Sequence, residues 1–445
     1  MAEQRALAVR EAGRRLWRRG ARRVRRTFVG SRRSNLLTYL AVIGPGMVAA
    51  NAGNDAGGIA TYATTGAAYG YSLLWIFVPI TISLGLVQEM CARMGAVTGK
   101  GLTDLIREQF GVRITAFVML ALLVANSGVT ISEFVGIAAA TEILGIPRYL
   151  SVPVAGALIW WLVVKGSYKR VERVFLAMSL VFFGYIISAF LAHPDWGEVA
   201  RGAVRPSFRF DTGYLFTLVA LIGTTISPYM QVFVQSSIVE KGVTAEDYRL
   251  TRIDVWSGTI FAVSIAFFIV VSTAAVLYKN GIVIESAADA ARALEPFAGR
   301  YAELLFALGL FGASMLAAGV LPLSTAYSIS EALGFEKGVS RSFREAPIFL
   351  SIFTFLIAVG ALVAILPGLP LIRVLLITQV INGVLLPVIL IAALRLANDR
   401  ELMGDKHVNG PVYNLAAWLT VAIVSILSLV YLVLTIYDAF FNVDP

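Results

Sequence analysis

Long apolar stretches separated by short polar ones recur along nearly the whole chain. About 20 apolar residues in a helix cross the roughly 30 Å of bilayer hydrocarbon. Eleven such runs fall at 37–67, 72–95, 113–140, 150–166, 172–192, 213–239, 254–278, 301–333, 346–367, 371–396 and 412–440. The pattern predicts an all-α integral membrane protein, because a helix satisfies its own backbone groups in lipid. A hydrophobic content of 58% against 15% charged residues excludes an ordinary soluble domain.

Two spans depart from the pattern. The first carries Gly53-Asn54-Asp55-Ala56-Gly57-Gly58 and the sixth carries Thr224-Thr225-Ile226-Ser227-Pro228. Glycine lets the chain leave helical dihedrals cheaply, and proline removes a backbone donor. Both helices are therefore predicted to break at mid-membrane depth. Breaks five spans apart predict two inverted five-helix repeats, 37–192 and 213–396, with a substrate site where the breaks meet. The rest divides into an Arg-rich N-terminal segment, 1–36, and an eleventh helix, 412–440. A glycine-rich span also serves as a packing surface between helices, and Pro228 alone would give a kink. The carboxylate favours function, since Asp at the bilayer centre costs about 2.5–3.5 kcal/mol. No basic residue is predicted at its depth, so a cation is the expected partner of Asp55.

Charge adds orientation. Residues 1–33 hold twelve Arg against Glu3 and Glu11, which leaves the remaining chain close to neutral within a total of +9. Next to a membrane span this cluster is expected to bind anionic lipid headgroups rather than nucleic acid. Counting Lys and Arg by side gives 29 on the N-terminal side and 8 on the other. The positive-inside rule then places the N-terminus in the cytoplasm and the C-terminus outside a plasma membrane. No cleavable signal peptide is evident. Cys91 is alone, His193 and His407 fall in predicted loops, and no nucleophile–base set or phosphate loop is present, so an enzyme is not expected.

The chain resembles the NRAMP family (natural resistance-associated macrophage proteins), divalent transition-metal transporters of the LeuT fold. The likeness runs through "GPGMVAANAGNDAGGIATYATTGAAYGYSLLW", "VTISEFVG", "IGTTISPYMQVFVQSS" and "LLITQVINGVLLPVILIAALRLANDRELMGD". The resemblance implies two inverted repeats plus an eleventh helix, helices 1 and 6 broken, and alternating access. The family's Asp-Pro-Gly-Asn is matched by Asp55-Ala56-Gly57-Gly58, and its Met-Pro-His by Ser227-Pro228-Tyr229. Its Asp-x-x-Glu is matched by Thr130-Ile131-Ser132-Glu133, so only Glu133 remains. The ninth-span arginine has no counterpart.

These departures resemble the prokaryotic NRAMP-related magnesium transporters. A thioether favours soft metals, whereas a serine hydroxyl brings no such bias. Gly58, standing where the family has asparagine, is expected to enlarge the cavity for an ion that keeps several waters, as Mg²⁺ does. The expected metal site comprises Asp55, Gly58, Ala52, Thr224, Ser227 and Gln379. Asn54, Tyr229, Glu133, Thr130 and Asn382 are expected along the pathway or behind the ligands. Gln379 and Asn382 have interhelical hydrogen bonding as an alternative role, and Glu133 a structural one. With no imidazole at Tyr229 and no carboxylate at Thr130, the expectation is uncoupled inward transport of Mg²⁺ and Mn²⁺, which are substrates and not cofactors. The alternative is a proton-coupled Mn²⁺ or Fe²⁺ transporter of the NRAMP type; an organic-cation carrier of the same fold is a further possibility.

Overall fold

The structure, a computed structural model, describes residues 53–165, 183–295, 299–336, 338 and 342–441. In chain order its principal helices are α1 (Ala56–Tyr69), α2 (Phe77–Thr98), α3 (Leu102–Ile143), α4 (Arg148–Lys165), α5 (Phe183–Leu191), α6 (Trp196–Val204), α7 (Thr212–Thr225), α8 (Pro228–Lys241), α9 (Tyr248–Val276), α10 (Ala302–Leu333), α11 (Pro347–Ala364), α12 (Leu371–Ala397) and α13 (Pro411–Phe441). Among the described residues no strand occurs, and nine helical segments are long and apolar enough to cross a membrane. The first and fifth predicted spans lie partly outside the described residues and are seen as α1 and α5. Residues 1–36, with their Arg cluster, and Ala52 lie outside them entirely.

α3 starts well before its pattern predicts. The apolar run of the third span begins at 113, yet α3 begins at Leu102. Gly111 sits inside it at φ 74°, ψ 175°, and divides a short leading helix from the span proper. Nothing lies within 4 Å of where its Cβ would stand, so glycine is needed there for the left-handed backbone and not for space. The segment 193–212, between the fifth and sixth predicted spans, contains α6, capped by Asp195 through the amides of Gly197 and Glu198.

The sixth span is two helices. α7 ends at Thr225, and Ile226 (φ −116°, ψ 59°) and Ser227 (φ −70°, ψ 142°) leave the helical region. Pro228 then opens α8 at the first helical position, where its missing N–H costs nothing. Each half is held by a different neighbour. α7 crosses α12 through glycines: a Cβ on Gly223 would stand 2.2 Å from the Gln379 carbonyl oxygen, and one on Gly383 would stand 2.5 Å from that of Val219. α8 is bonded to α10. Ser324 donates to the Tyr229 carbonyl (2.9 Å), Ser236 donates to Glu331 Oε1 (2.6 Å), and the Tyr327 hydroxyl meets Glu240. Thr103 of α3 donates to the other Glu331 oxygen at 2.6 Å.

Close backbone approach matters because helices in lipid gain little from hydrophobicity and associate through packing and hydrogen bonds. Gly223→Val is expected to destabilise the fold by about 1–3 kcal/mol through overpacking. Thermal unfolding in detergent checks this, with a lowered melting temperature as the expected result.

Candidate metal centre

α1 begins where its sequence stops being able to satisfy itself. The first amides of a helix have no partner within it, and two carboxylates supply acceptors here. Asp55, extended at φ −73°, ψ −179°, caps the helix: its Oδ1 accepts from the Gly58 amide at 2.5 Å. Glu133, from α3, accepts from the Ala56 amide through Oε2 at 3.1 Å, and Ser132 donates to its other oxygen at 3.3 Å. Both side chains are fully buried. The positive end of the α1 dipole favours negative charge at this place.

The oxygens left over define the site. Asp55 Oδ2 is buried without any hydrogen-bond partner, and among the described residues it is the one buried carboxylate oxygen in that condition. Glu89 is the contrast, with Tyr248 on one oxygen and Tyr413 on the other. Thr224 Oγ1 and Asn382 Oδ1 are likewise buried and unpartnered. A cap uses only one carboxylate oxygen, so capping alone does not account for Asp55 Oδ2.

The start of α1 and the break between α7 and α8 bring these groups together. A Cβ on Gly58 would stand 3.0 Å from both Asp55 Oδ1 and Thr224 Oγ1, which places the end of α7 against the first turn of α1. Gln379 of α12 lies over Gly57, whose Cβ would fall 1.9 Å from the amide nitrogen. Asn382, one turn on, has its amide nitrogen 3.4 Å from both Ser227 Oγ and Gln379 Oε1. The Ser227 hydroxyl donates to the carbonyls of Gly223 (2.8 Å) and Thr224 (3.0 Å), so of its two lone pairs one faces the Asn382 amide and one remains.

Asp55, Gly58, Thr224, Ser227, Gln379, Asn382 and Glu133 thus form one buried cluster. Asn54, Thr130 and Tyr229 each have hydrogen-bond partners of their own. Asn54 donates to the Ala262 carbonyl of α9 at 3.2 Å, and Thr130 donates back to Asn126 of its own helix at 2.7 Å. Tyr229 is buried and accepts the Ser324 hydroxyl on its carbonyl. Ala52 lies outside the described residues. Gly57 and Ser132 were not singled out in the sequence. Gly57 was hidden because its role is to leave room for a side chain from a helix far along the chain.

The expected enlargement at Gly58 is not seen. The Gly53 carbonyl oxygen would stand 2.5 Å from a Cβ there, so the missing side chain is replaced by backbone and not by open space. The nearby crevice lined by Asn54, Tyr62, Leu84, Thr225, Ala262 and Val263 is too narrow for a water molecule. Gly58→Ala is therefore expected to cost about 1–3 kcal/mol by overpacking and to loosen the Asp55 cap. A melting temperature equal to that of the parent would refute the tight first turn.

Comparisons with known proteins agree with this architecture. The family described as "Natural resistance-associated macrophage protein-like" matches residues 46–434. The divalent metal cation transporter MntH of Deinococcus radiodurans is 28% identical over 381 residues, 82% of this chain and 83% of that protein. MntH of Ralstonia nicotianae is 29% identical over 423 residues, 87% of this chain and 89% of its own. The crystal structure of the Eremococcus coleocola manganese transporter in complex with an aromatic bis-isothiourea substituted compound superposes with a TM-score of 0.72 at 21% identity, covering 93% of this chain and 90% of that one. Mhp1, a nucleobase-cation-symport-1 family transporter, superposes with a TM-score of 0.55 at 14% identity, over 88% and 90% of the two chains. The shared arrangement is the LeuT fold. The chain belongs to the natural resistance-associated macrophage protein family of multi-pass membrane proteins, and its relatives include divalent metal cation transporters.

Proposed function

We propose that the chain carries Mg²⁺ and Mn²⁺ into the cell by alternating access, with the ion bound at Asp55 and without proton coupling; partial hydration of the ion would need the site to open beyond the tight packing seen at Gly58. One observation carries this reading: Asp55 Oδ2 is buried with no donor, in the same cluster as Thr224 Oγ1 and Asn382 Oδ1, which are also buried without a partner. A buried carboxylate costs several kcal/mol unless a cation meets it. Among the described residues the cluster around it offers hydroxyl and amide oxygens and no sulfur ligand, which suits hard divalent ions. The nearest methionine in α8, Met230, has its sulfur 3.7 Å from the Gln88 amide nitrogen instead. Relatives that are divalent metal cation transporters support the substrate class.

The remaining pieces follow the same reading. Two inverted repeats, 37–192 and 213–396, would rock around this point, with the eleventh helix, 412–440, outside them. The N-terminus lies in the cytoplasm, where its Arg cluster meets anionic headgroups, and the C-terminus lies outside. A divalent cation moving inward gains about 4.6 kcal/mol per 100 mV from the membrane potential, enough to drive accumulation alone.

A second reading, a proton-coupled Mn²⁺ or Fe²⁺ transporter, is favoured by one observation. Glu133 reaches the Ala56 amide immediately beside Asp55, so a second carboxylate stands at the site. Proteoliposomes holding a Mg²⁺ dye and a pH dye separate the two. Uncoupled transport gives Mg²⁺ influx with no acidification, while acidification that accompanies metal entry establishes the second reading. Asp55→Ala is expected to abolish influx in a protein that still melts cooperatively, and retained flux would remove Asp55 from the site. Ser227→Met is expected to raise the preference for Mn²⁺ over Mg²⁺ by about tenfold, roughly 1.4 kcal/mol, as read by calorimetry with each ion.

A further inference from the structure

From Ser227, which belongs to the Asp55 cluster, a line of further buried amides that the cluster does not use runs along α8. Ser227, Gln231 and Gln235 recur every four residues along one face, and all three are fully buried. The Gln231 amide nitrogen donates to the Ser227 carbonyl (3.4 Å), and that of Gln235 donates to the Lys100 carbonyl (3.0 Å). A carbonyl can only accept, so these contacts fix how each amide is turned. The side-chain oxygens of Gln231 and Gln235 are then left with no partner, as is that of Gln88 across the interface on α2. Amide oxygens buried in this way carry a desolvation cost that no contact in this conformation offsets.

The stripe is also continuous. It starts at the break and rises for about 12 Å, at 1.5 Å per residue over eight residues. That is close to half the thickness of the hydrocarbon core. It ends at Lys100, an exposed residue in the turn between α2 and α3. Gly95 of α2 closes over it: a Cβ there would stand 3.0 Å from the Gln235 backbone oxygen.

We propose that Gln231 and Gln235 line the leg of the cation's route between Asp55 and the Lys100 side, the face the basic residues assign to the cytoplasm. Their oxygens replace lost water as the ion leaves, once α2 and α8 part. The inference rests on the reading of Asp55 as the cation site, and its test keeps the two apart.

Mg²⁺ and Mn²⁺ are the probes, in proteoliposomes for flux and in calorimetry for binding. The full-length Gln231→Leu/Gln235→Leu variant is expected to lose at least tenfold in flux with each ion while its dissociation constants stay within twofold. Gln235→Glu keeps the shape and adds charge, and is expected to lower the half-saturating concentration at least threefold while slowing maximal flux. Parental flux in the Leu variant overturns the proposal, and so does binding lost in step with flux. If the Leu variant does not fold, an unchanged half-saturation in Gln235→Glu overturns it alone. Flux that survives Asp55→Ala instead defeats the central site and leaves the Gln comparison to be read separately.

Discussion

The arrangement depends on one carboxylate oxygen that the protein itself does not satisfy. Asp55 spends Oδ1 on the Gly58 amide and leaves Oδ2 bare in a fully buried position. An ordinary cap at a membrane helix would be exposed to water or closed by a donor. Here the end of α7 and the middle of α12 converge on the first turn of α1, where that oxygen lies. The same elements present hydroxyl and amide groups whose valences are likewise incomplete. The oxygens of Asp55 and Asn382 lack a donor while the Gln379 amide nitrogen lacks an acceptor, and a divalent cation that keeps a water would answer both.

Convergence requires that backbones come very near one another. Gly57 makes room for the Gln379 amide, Gly58 for the Gly53 carbonyl and Thr224, and Gly136 for Ser314 and Ala56. Gly223 and Gly383 bring α7 against α12. In lipid the gain comes from contact and hydrogen bonding, since apolar side chains are as well solvated outside as inside. The glycines thus do for this bundle what large apolar side chains do for a soluble core. An added methyl group at these glycines would push apart the elements that meet around Asp55.

Much of the fold was legible because its cause is local. A run of apolar residues dictates a spanning helix, and Ser227-Pro228 marks the start of α8. The early start of α3 was hidden because Gly111 permits a turn that the polar residues before it only suggest. The site was legible in part. Asp55, Thr224, Ser227, Gln379 and Asn382 meet, yet the contact between Glu133 and Ala56 joins residues 77 apart and no spacing rule reports it. The cavity expected at Gly58 went the other way, because side-chain volume can be counted in a sequence whereas the backbone that takes its place cannot. Gln231 and Gln235 did leave a signal, two amides four apart in a buried span, but it acquired meaning only once their nitrogen partners were known.

The two halves of the sixth span are fastened to different bodies. α7 is locked to α12 through glycine backbones, and Ser428 of α13 donates to Gly383 there at 3.0 Å. α8 is laced to α10 by hydroxyl bonds running in both directions, with Ser236 reaching Glu331 and Tyr327 reaching Glu240. Only Ile226 and Ser227 join the two assemblies along this stretch of chain. Any relative turn between them is concentrated in the torsions of a single two-residue joint, which is also where Thr224 and Ser227 hold their oxygens. The pivot and the cargo would then share one address, so a displacement too small to disturb either body would suffice to take the ligand set apart.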